Sequence, residues 1–306
     1  MGDQRSMFQI LSNFQCVDEI VQQFSIHDNQ FTVTGRTYFD SENQIEFFGT
    51  GSAWNDPELS VVKCQAECVE RWVLDFIQKK NSLTQLSSQA SDPQTLSQIL
   101  SVSNGVAFSP SPSLASHSAR NELMERHCLL YSWYFSQNSP VLYRTENFHF
   151  DRQDFQFDDY VIAETQDGLF VGVSCLFHRS SLLHFGFGTA SNLDELHQKS
   201  RSEALQRYLF LGDEYSAEVP FQASPSFHQE YYCQPWNKEL FLKWFHRKPM
   251  LLKPIVDSSR FQEEILWDHE DGRVVRATHP DLIHLFFGKP DFLVDPGVPS
   301  IFHPMA

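Results

Sequence analysis

Residues 47–72 read FFGTGSAWNDPELSVVKCQAECVERW, and the same design returns at 104–133 as NGVAFSPSPSLASHSARNELMERHCLLYSW and at 185–210 as FGFGTASNLDELHQKSRSEALQRYLF. Each copy sets small residues at a strand end, then a spacer, then a helix with acidic residues along one side. The spacing is regular: Gly49 to Glu67 is 18 residues, Gly105 to Glu122 is 17 and Gly186 to Glu203 is 17. Glutamates three apart share one side of a helix, so three such helices packed together bring Glu67, Glu70, Glu122, Glu125 and Glu203 into one pocket. Ionised carboxylates within about 4 Å of one another repel by several kcal/mol at an intermediate dielectric. Either some are protonated or a hard cation lies among them. Magnesium suits carboxylate and phosphate oxygens, and Gly49-Thr50-Gly51 and Gly186-Phe187-Gly188 permit close backbone approach. The pattern points to a metal–nucleotide site carried on helices. It is not a P-loop, because GxxxxGK[ST] does not occur.

One ExxER means little, since Glu67 and Arg71 at i, i+4 make an ordinary surface pair worth about 0.3–0.5 kcal/mol. Here ExxER occurs at Glu67 to Arg71 and at Glu122 to Arg126, and ExxQR at Glu203 to Arg207, each at matching distance behind a glycine. Val69, Val73 and Phe76 on the first helix, Leu123, Leu130 and Trp133 on the second, and Leu196, Leu205 and Leu209 on the third supply apolar faces for packing.

Working outward, residues 31–36 and 45–50 read as an antiparallel strand pair leading into the first glycine segment, with a helix following from Pro57 to Lys79. The Ser- and Gln-rich stretch 81–104 reads as a surface connection with a short helix near 93–100, not as a domain boundary, because the repeat resumes after it. A second helix is expected over 113–136 and a third over 194–211. Gln166-Asp167-Gly168 between two apolar runs marks a hairpin, as does Asp271-Gly272. In FHFDRQDFQF, Phe148 and Phe155 differ in parity, so a continuous strand sets the two phenylalanine pairs on opposite faces unless residues 151–154 turn or bulge. The expected class is α+β: antiparallel sheets with layered helices, pseudo-repeated within a single domain over residues 1–306.

Composition narrows the partners. Twenty-three basic against 39 acidic side chains give a net charge of −16 over 306 residues, which repels phosphate backbones and anionic lipid. No nucleic acid and no membrane is expected, and an anionic ligand needs local help from a metal or from Lys63, Arg71, Arg126 and Lys199. Six cysteines without CxxC spacing fit reduced thiols in a cytoplasmic protein. Cys64 and Cys68, at i, i+4 without further soft ligands, read as packing residues rather than a zinc site. Most of the 13 histidines read as surface or packing residues. His178 and His184, flanking the strand before the third helix, are weighed as bases.

The order GxG, spacer, ExxER, a second ExxER and a third acidic helix resembles the YcaO-domain family, as do RVVRATHPDL and the terminal His303-Pro304. The resemblance implies an ATP-binding fold that phosphorylates the oxygen of a peptide backbone amide, so that a Cys, Ser or Thr side chain, sulfide or an amine can give azoline, thioamide or amidine. It implies ATP and Mg2+ as cofactors, with Glu67, Glu70, Glu122, Glu125 and Glu203 on the metal and Ser118 and Arg126 on the nucleotide. A peptide or protein substrate and a partner protein for substrate recognition follow, with room for a homodimer. No catalytic acid, base or nucleophile is assigned. The sequence departs from the family pattern at Thr50, where a Lys is usual, at Lys63 for Ser, at Lys199 for Gln and at His127 for an acid. Lys63 and Lys199 lie one turn before metal positions, so they either replace the missing nucleotide contacts or bond the glutamates directly. The first reading gives an enzyme. The second gives a degenerate relative acting as scaffold or regulatory partner in a modification complex.

Overall fold

A computed structural model describes residues 8–26, 28–85, 99–100, 104–150, 153–211, 231–232, 237–287 and 303–304. The principal elements are β1 (Gln15–Ile26), β2 (Asn29–Asp40), β3 (Ile45–Trp54), α1 (Pro57–Gln85), β4 (Val106–Ser109), α2 (Pro112–Tyr134), β5 (Val141–Phe150), β6 (Gln153–Glu164), β7 (Phe170–His178), β8 (Ser181–Ala190), α3 (Leu193–Leu211), α4 (Lys238–Lys243), β9 (Gln262–His269) and β10 (Gly272–Thr278). The short helix expected near 93–100 falls largely outside the described residues; Ile99–Leu100 pair instead as strand with Phe286–Phe287. Among the described residues no helix is long and apolar enough to cross a membrane.

The chain forms two compact units: one of Met1–Asp92, Gly105–Arg120 and Gln262–Thr278, the other of Pro93–Asn104, Asn121–Phe261 and His279–Ala306. In the first, β1, β2 and β3 make an antiparallel meander. The Asp40 carboxylate pins its second turn by accepting the N–H groups of Glu42 and Asn43, and it accepts the indole N–H of Trp72 on α1 at 2.9 Å. Cys64, Cys68, Val69, Trp72 and Val73 of α1 bury themselves with Tyr38, Ile45 and Phe47. A second sheet in this unit has the order β9-β10-β4.

The other unit is built on an antiparallel sheet ordered β8-β7-β6-β5, with α3 packed on β8 and β7. Leu129, Trp133 and Tyr134 of α2 join Val171, Val173, Phe185 and Phe187 of the sheet and Phe241 and Trp244 in one apolar core. The two phenylalanine pairs belong to two strands rather than one: β5 and β6 pair antiparallel, Phe148 lies opposite Phe155, and Phe148 stacks on Phe157 at 5.1 Å. Beneath α3 the core turns polar. Buried Asp159 accepts from Arg201 at 2.6 Å and from Ser174 at 2.7 Å, and Arg201 also reaches Glu146 at 2.8 Å. Buried His197 stacks on Tyr143 with its Nδ1 4.0 Å from Asp159, and burial pushes its pKa down to about 4.

The α+β repeat is visible in matching contacts. A methyl group added at Gly51 would strike the Ser60 carbonyl and Cys64 backbone of α1, and one at Gly186 would strike the Ser200 carbonyl and Ala204 backbone of α3. The glycines let strand and helix backbones touch. Gly51→Ala is accordingly expected to destabilise the protein by about 1–3 kcal/mol through overpacking. A urea midpoint equal to that of the parent would show that the strand can withdraw from the helix without cost.

Candidate nucleotide and metal site

The acidic helices hold their carboxylates by two rules. Within each helix the first glutamate of the motif pairs with the arginine four residues on: Glu67 with Arg71 at 3.1 Å, Glu122 with Arg126 at 2.5 Å and Glu203 with Arg207 at 2.5 Å. On α1 and α3 that glutamate also ties the helix to its own glycine strand. Glu67 accepts the N–H and hydroxyl of Thr50, both at 2.8 Å, and Glu203 accepts the N–H of Phe187 at 2.6 Å. The fourth residue of the motif reaches a different strand: Glu70 accepts the N–H of Phe108 on β4 at 2.6 Å, and Glu125 accepts the hydroxyl of Thr189 on β8 at 2.7 Å.

Lys63 and Lys199 complete the same stitch. Each sits one turn before its glutamate and donates to the carbonyl two residues beyond the amide that the glutamate holds, Lys63 to Ser52 at 3.0 Å and Lys199 to Thr189 at 3.1 Å. Lys199 also pairs with Glu195 at 2.9 Å, not with Glu122, Glu125 or Glu203. For Lys199 the direct neutralisation of the acidic set that the scaffold reading expects is therefore not what the structure has. Ser118 lies exposed on α2 in the first unit.

Two neighbouring groups of the α2 motif are left electrically incomplete. Burial pushes the Glu125 carboxyl up to about 7, and the neighbouring Glu203 carboxylate adds to the rise; the Thr189 hydroxyl and Arg126 offset it in part. Next to it in sequence, Arg126 spends Nη2 on Glu122, while its Nε and Nη1 are buried without a hydrogen-bond partner. A buried donor left unpaired costs about 1–3 kcal/mol, and orphans of this kind call for an explanation. An oxyanion matches the arginine and a cation matches the acid. Among the described residues no three of His, Cys, Asp and Glu stand close enough to cage a metal by themselves. That suits magnesium, which takes one or two carboxylates and completes its shell with water and substrate phosphate.

His178 and His184 serve as packing rings, His178 against Phe155 at 5.3 Å and His184 against Tyr208 at 6.0 Å. His127 turns away from the acidic side, since two residues advance it roughly 200° round the helix from Glu125. Its Nδ1 accepts the N–H of Ile283 at 3.0 Å, and burial holds its pKa down to about 4. With Cys128, Tyr131 and Leu252 to Ile255 it lines a cavity of about 410 Å³. Sequence reading missed this cavity because 252–255 carries no motif. The Cys128 thiol is no nucleophile at neutral pH, as burial and Glu125 push it up to about 12.

This fold, with paired glycine strands and acidic helices, is YcaO-like. No protein-family profile matches the sequence, and no curated protein matches it significantly. Among solved structures, one described as a heterocyclase in complex with substrate and cofactor aligns with a TM-score of 0.51 at 12% identity, over 88% of this chain and 50% of its own. The E. coli microcin synthetase McbBCD complex aligns with a TM-score of 0.42 at 14% identity, over 85% and 88%. The chain thus spans half the length of the first of these structures.

Proposed function

We propose that the protein binds ATP with Mg2+ and activates a backbone amide of a peptide or protein for cyclodehydration, thioamidation or amidine formation. The observation that carries the reading is the pairing of Arg126, with two buried N–H groups lacking an acceptor, with Glu125, whose charge burial resists. When bound, Mg-ATP supplies the phosphoryl group that turns the amide oxygen into a leaving group. One or two of Glu122, Glu125 and Glu203 would meet a cation in the second unit, with water and phosphate completing its shell, and Glu67 and Glu70 would take the same role on α1. Arg126 would donate Nε and Nη1 to phosphate oxygens, a strong charge-assisted contact. Lys63 and Lys199 act indirectly, fixing glycine strand to acidic helix. The heterocyclase that shares the fold is described with both substrate and cofactor bound, which supports peptide modification as the class of reaction. Substrate recognition falls to a partner protein.

Titration calorimetry of ATP into the purified chain tests this. Magnesium-dependent binding is expected, weakened about 10- to 100-fold by Arg126→Gln, the value of one to two charged hydrogen bonds. Equal affinity in parent and variant would remove Arg126 from the site. One observation favours the scaffold reading: Thr50 stands where the family pattern has Lys, and it commits both its N–H and its hydroxyl to Glu67. Absence of ATP binding with and without magnesium, in the presence of a partner complex, would establish that alternative.

A further inference from the structure

The cavity beside His127 has two walls with different causes. One is α2 itself: His127 and Tyr131, at i and i+4, share a side of the helix, and their ring centres lie 5.9 Å apart. The other is the chain after Leu252. Leu252 gives its N–H to Ile162 and takes the N–H of Glu164 on its carbonyl, so it lies against β6 as a further rung. Pro254 has no N–H and cannot carry that ladder on. Lys253, Pro254 and Ile255 pair with no strand among the described residues, and with the helix they bound about 410 Å³. That volume is in the range of small-molecule sites.

The lining selects an occupant. Leu252, Pro254, Ile255 and the faces of the two rings are apolar, and Ile255 is 83% exposed, an aliphatic side chain left in water beside the cavity. The polar groups can all give hydrogen. Because His127 Nδ1 accepts the N–H of Ile283, its Nε2 carries the ring hydrogen, and among the described residues nothing accepts from it. The Tyr131 hydroxyl likewise meets no described acceptor. Lys253 is 73% exposed, and its ammonium meets Glu164 alone, at 3.5 Å. Among the described residues no carboxylate lines the cavity, so a chain of net charge −16 has here a recess whose one charge is positive.

We propose that this cavity binds a small carboxylate carried on an apolar, aromatic body, with Lys253, His127 and Tyr131 donating to the carboxylate and the body set against Tyr131, Pro254 and Ile255. One ammonium and two neutral donors match a monoanion. A phosphate dianion would lose water to apolar walls with a single cation in return. An uncharged apolar molecule would cover the donors without satisfying them. His127 turns away from Glu125, so the site stands whether or not the chain binds ATP.

3-Phenylpropionate titrated calorimetrically into the full chain without nucleotide tests the assignment, with 3-phenylpropanamide as its uncharged counterpart. The acid is expected to saturate with a Kd of about 0.1–1 mM, and the amide to bind about 10-fold more weakly. Lys253→Met, at an exposed position whose pair with Glu164 contributes little, is expected to keep the parent's urea midpoint and to bring acid and amide within about 2-fold of each other. Tyr131→Ala is expected to weaken both ligands alike, by about 3- to 10-fold, through loss of the apolar wall. Equal affinity of acid and amide in the parent overturns the proposal, as does a preference for the acid that survives Lys253→Met. Unchanged affinity in Tyr131→Ala, no saturation by about 10 mM acid, or displacement of the acid by inorganic phosphate overturns it as well. An N-acetylated tripeptide ending in phenylalanine that binds more than about 10-fold tighter than the acid would assign the cavity to a chain terminus instead of a small molecule.

Discussion

Glu125→Gln is expected to make the metal-free protein more stable while it abolishes magnesium-dependent nucleotide binding. Below about pH 4.5 the Glu125 carboxyl is protonated in folded and unfolded chains alike, and it contributes nothing to the pH dependence. Between the usual 4.5 and the folded value of about 7, the folded chain keeps a proton that the unfolded chain has released. Stability therefore falls as pH rises through that window, by roughly 3 kcal/mol when the fall is complete above pH 7. Glutamine has the shape without the charge and still accepts from the Thr189 hydroxyl. With chelator present, the variant should exceed the parent by about 2–3 kcal/mol at about pH 8 and match it near pH 4, read as urea unfolding free energy. Magnesium should stabilise the parent and not the variant. A glutamine variant that is less stable than the parent at pH 8 would mean that Glu125 is satisfied by its neighbours and awaits no cation. Sites that do chemistry often carry such an intrinsic destabilisation.

Arg201→Met should be among the most damaging single changes in the second unit, at about 3–5 kcal/mol, because it strips the buried Asp159 of its main cation. Arg201 reaches Asp159 through both Nε and Nη2 and bridges to Glu146, with its guanidinium 5.0 Å from the centre of the Phe157 ring. The remaining cation near the acid, Arg144, stands at 3.4 Å and is half-exposed. Combining Arg201→Met with Asp159→Leu should recover a large part of the loss, since two apolar groups leave no charge stranded. Strict additivity in that double-mutant cycle would show that the two residues do not act as a pair.

The helices and the glycine strands were legible in the sequence because each writes its own period. The expected helices begin within one residue of α1, α2 and α3, while two C-terminal ends are misjudged: α1 runs to Gln85 rather than stopping at Lys79, and α2 ends at Tyr134 rather than at 136. β1 escaped notice for a physical reason: with both faces open, QCVDEIVQQFSI has no inward and outward alternation to read. β4 was visible only as a strand end, since its partner β10 lies far along the chain. The motif glutamates could be found by spacing, but their hydrogen bonds could not. Nothing local in the sequence says that Glu70 serves Phe108, or that Lys63 and Lys199 donate to strand carbonyls. The phosphate-seeking character of Arg126 comes from burial, which motif spacing does not encode.

The strand order β9-β10-β4 has a consequence for the nascent chain. Val106 leaves the ribosome long before Arg276, with which it pairs, so β4 must wait with an open edge while nearly all of the other unit is synthesised. Vectorial folding can finish the β1-β2-β3 meander early, but its own unit stays incomplete until the last hairpin emerges. A translation pause or premature stop between 110 and 262 would leave that edge available to other chains, which is the circumstance in which holdase chaperones are required. Yield in cells is thus expected to depend on elongation rate more steeply than the stability of the finished protein suggests.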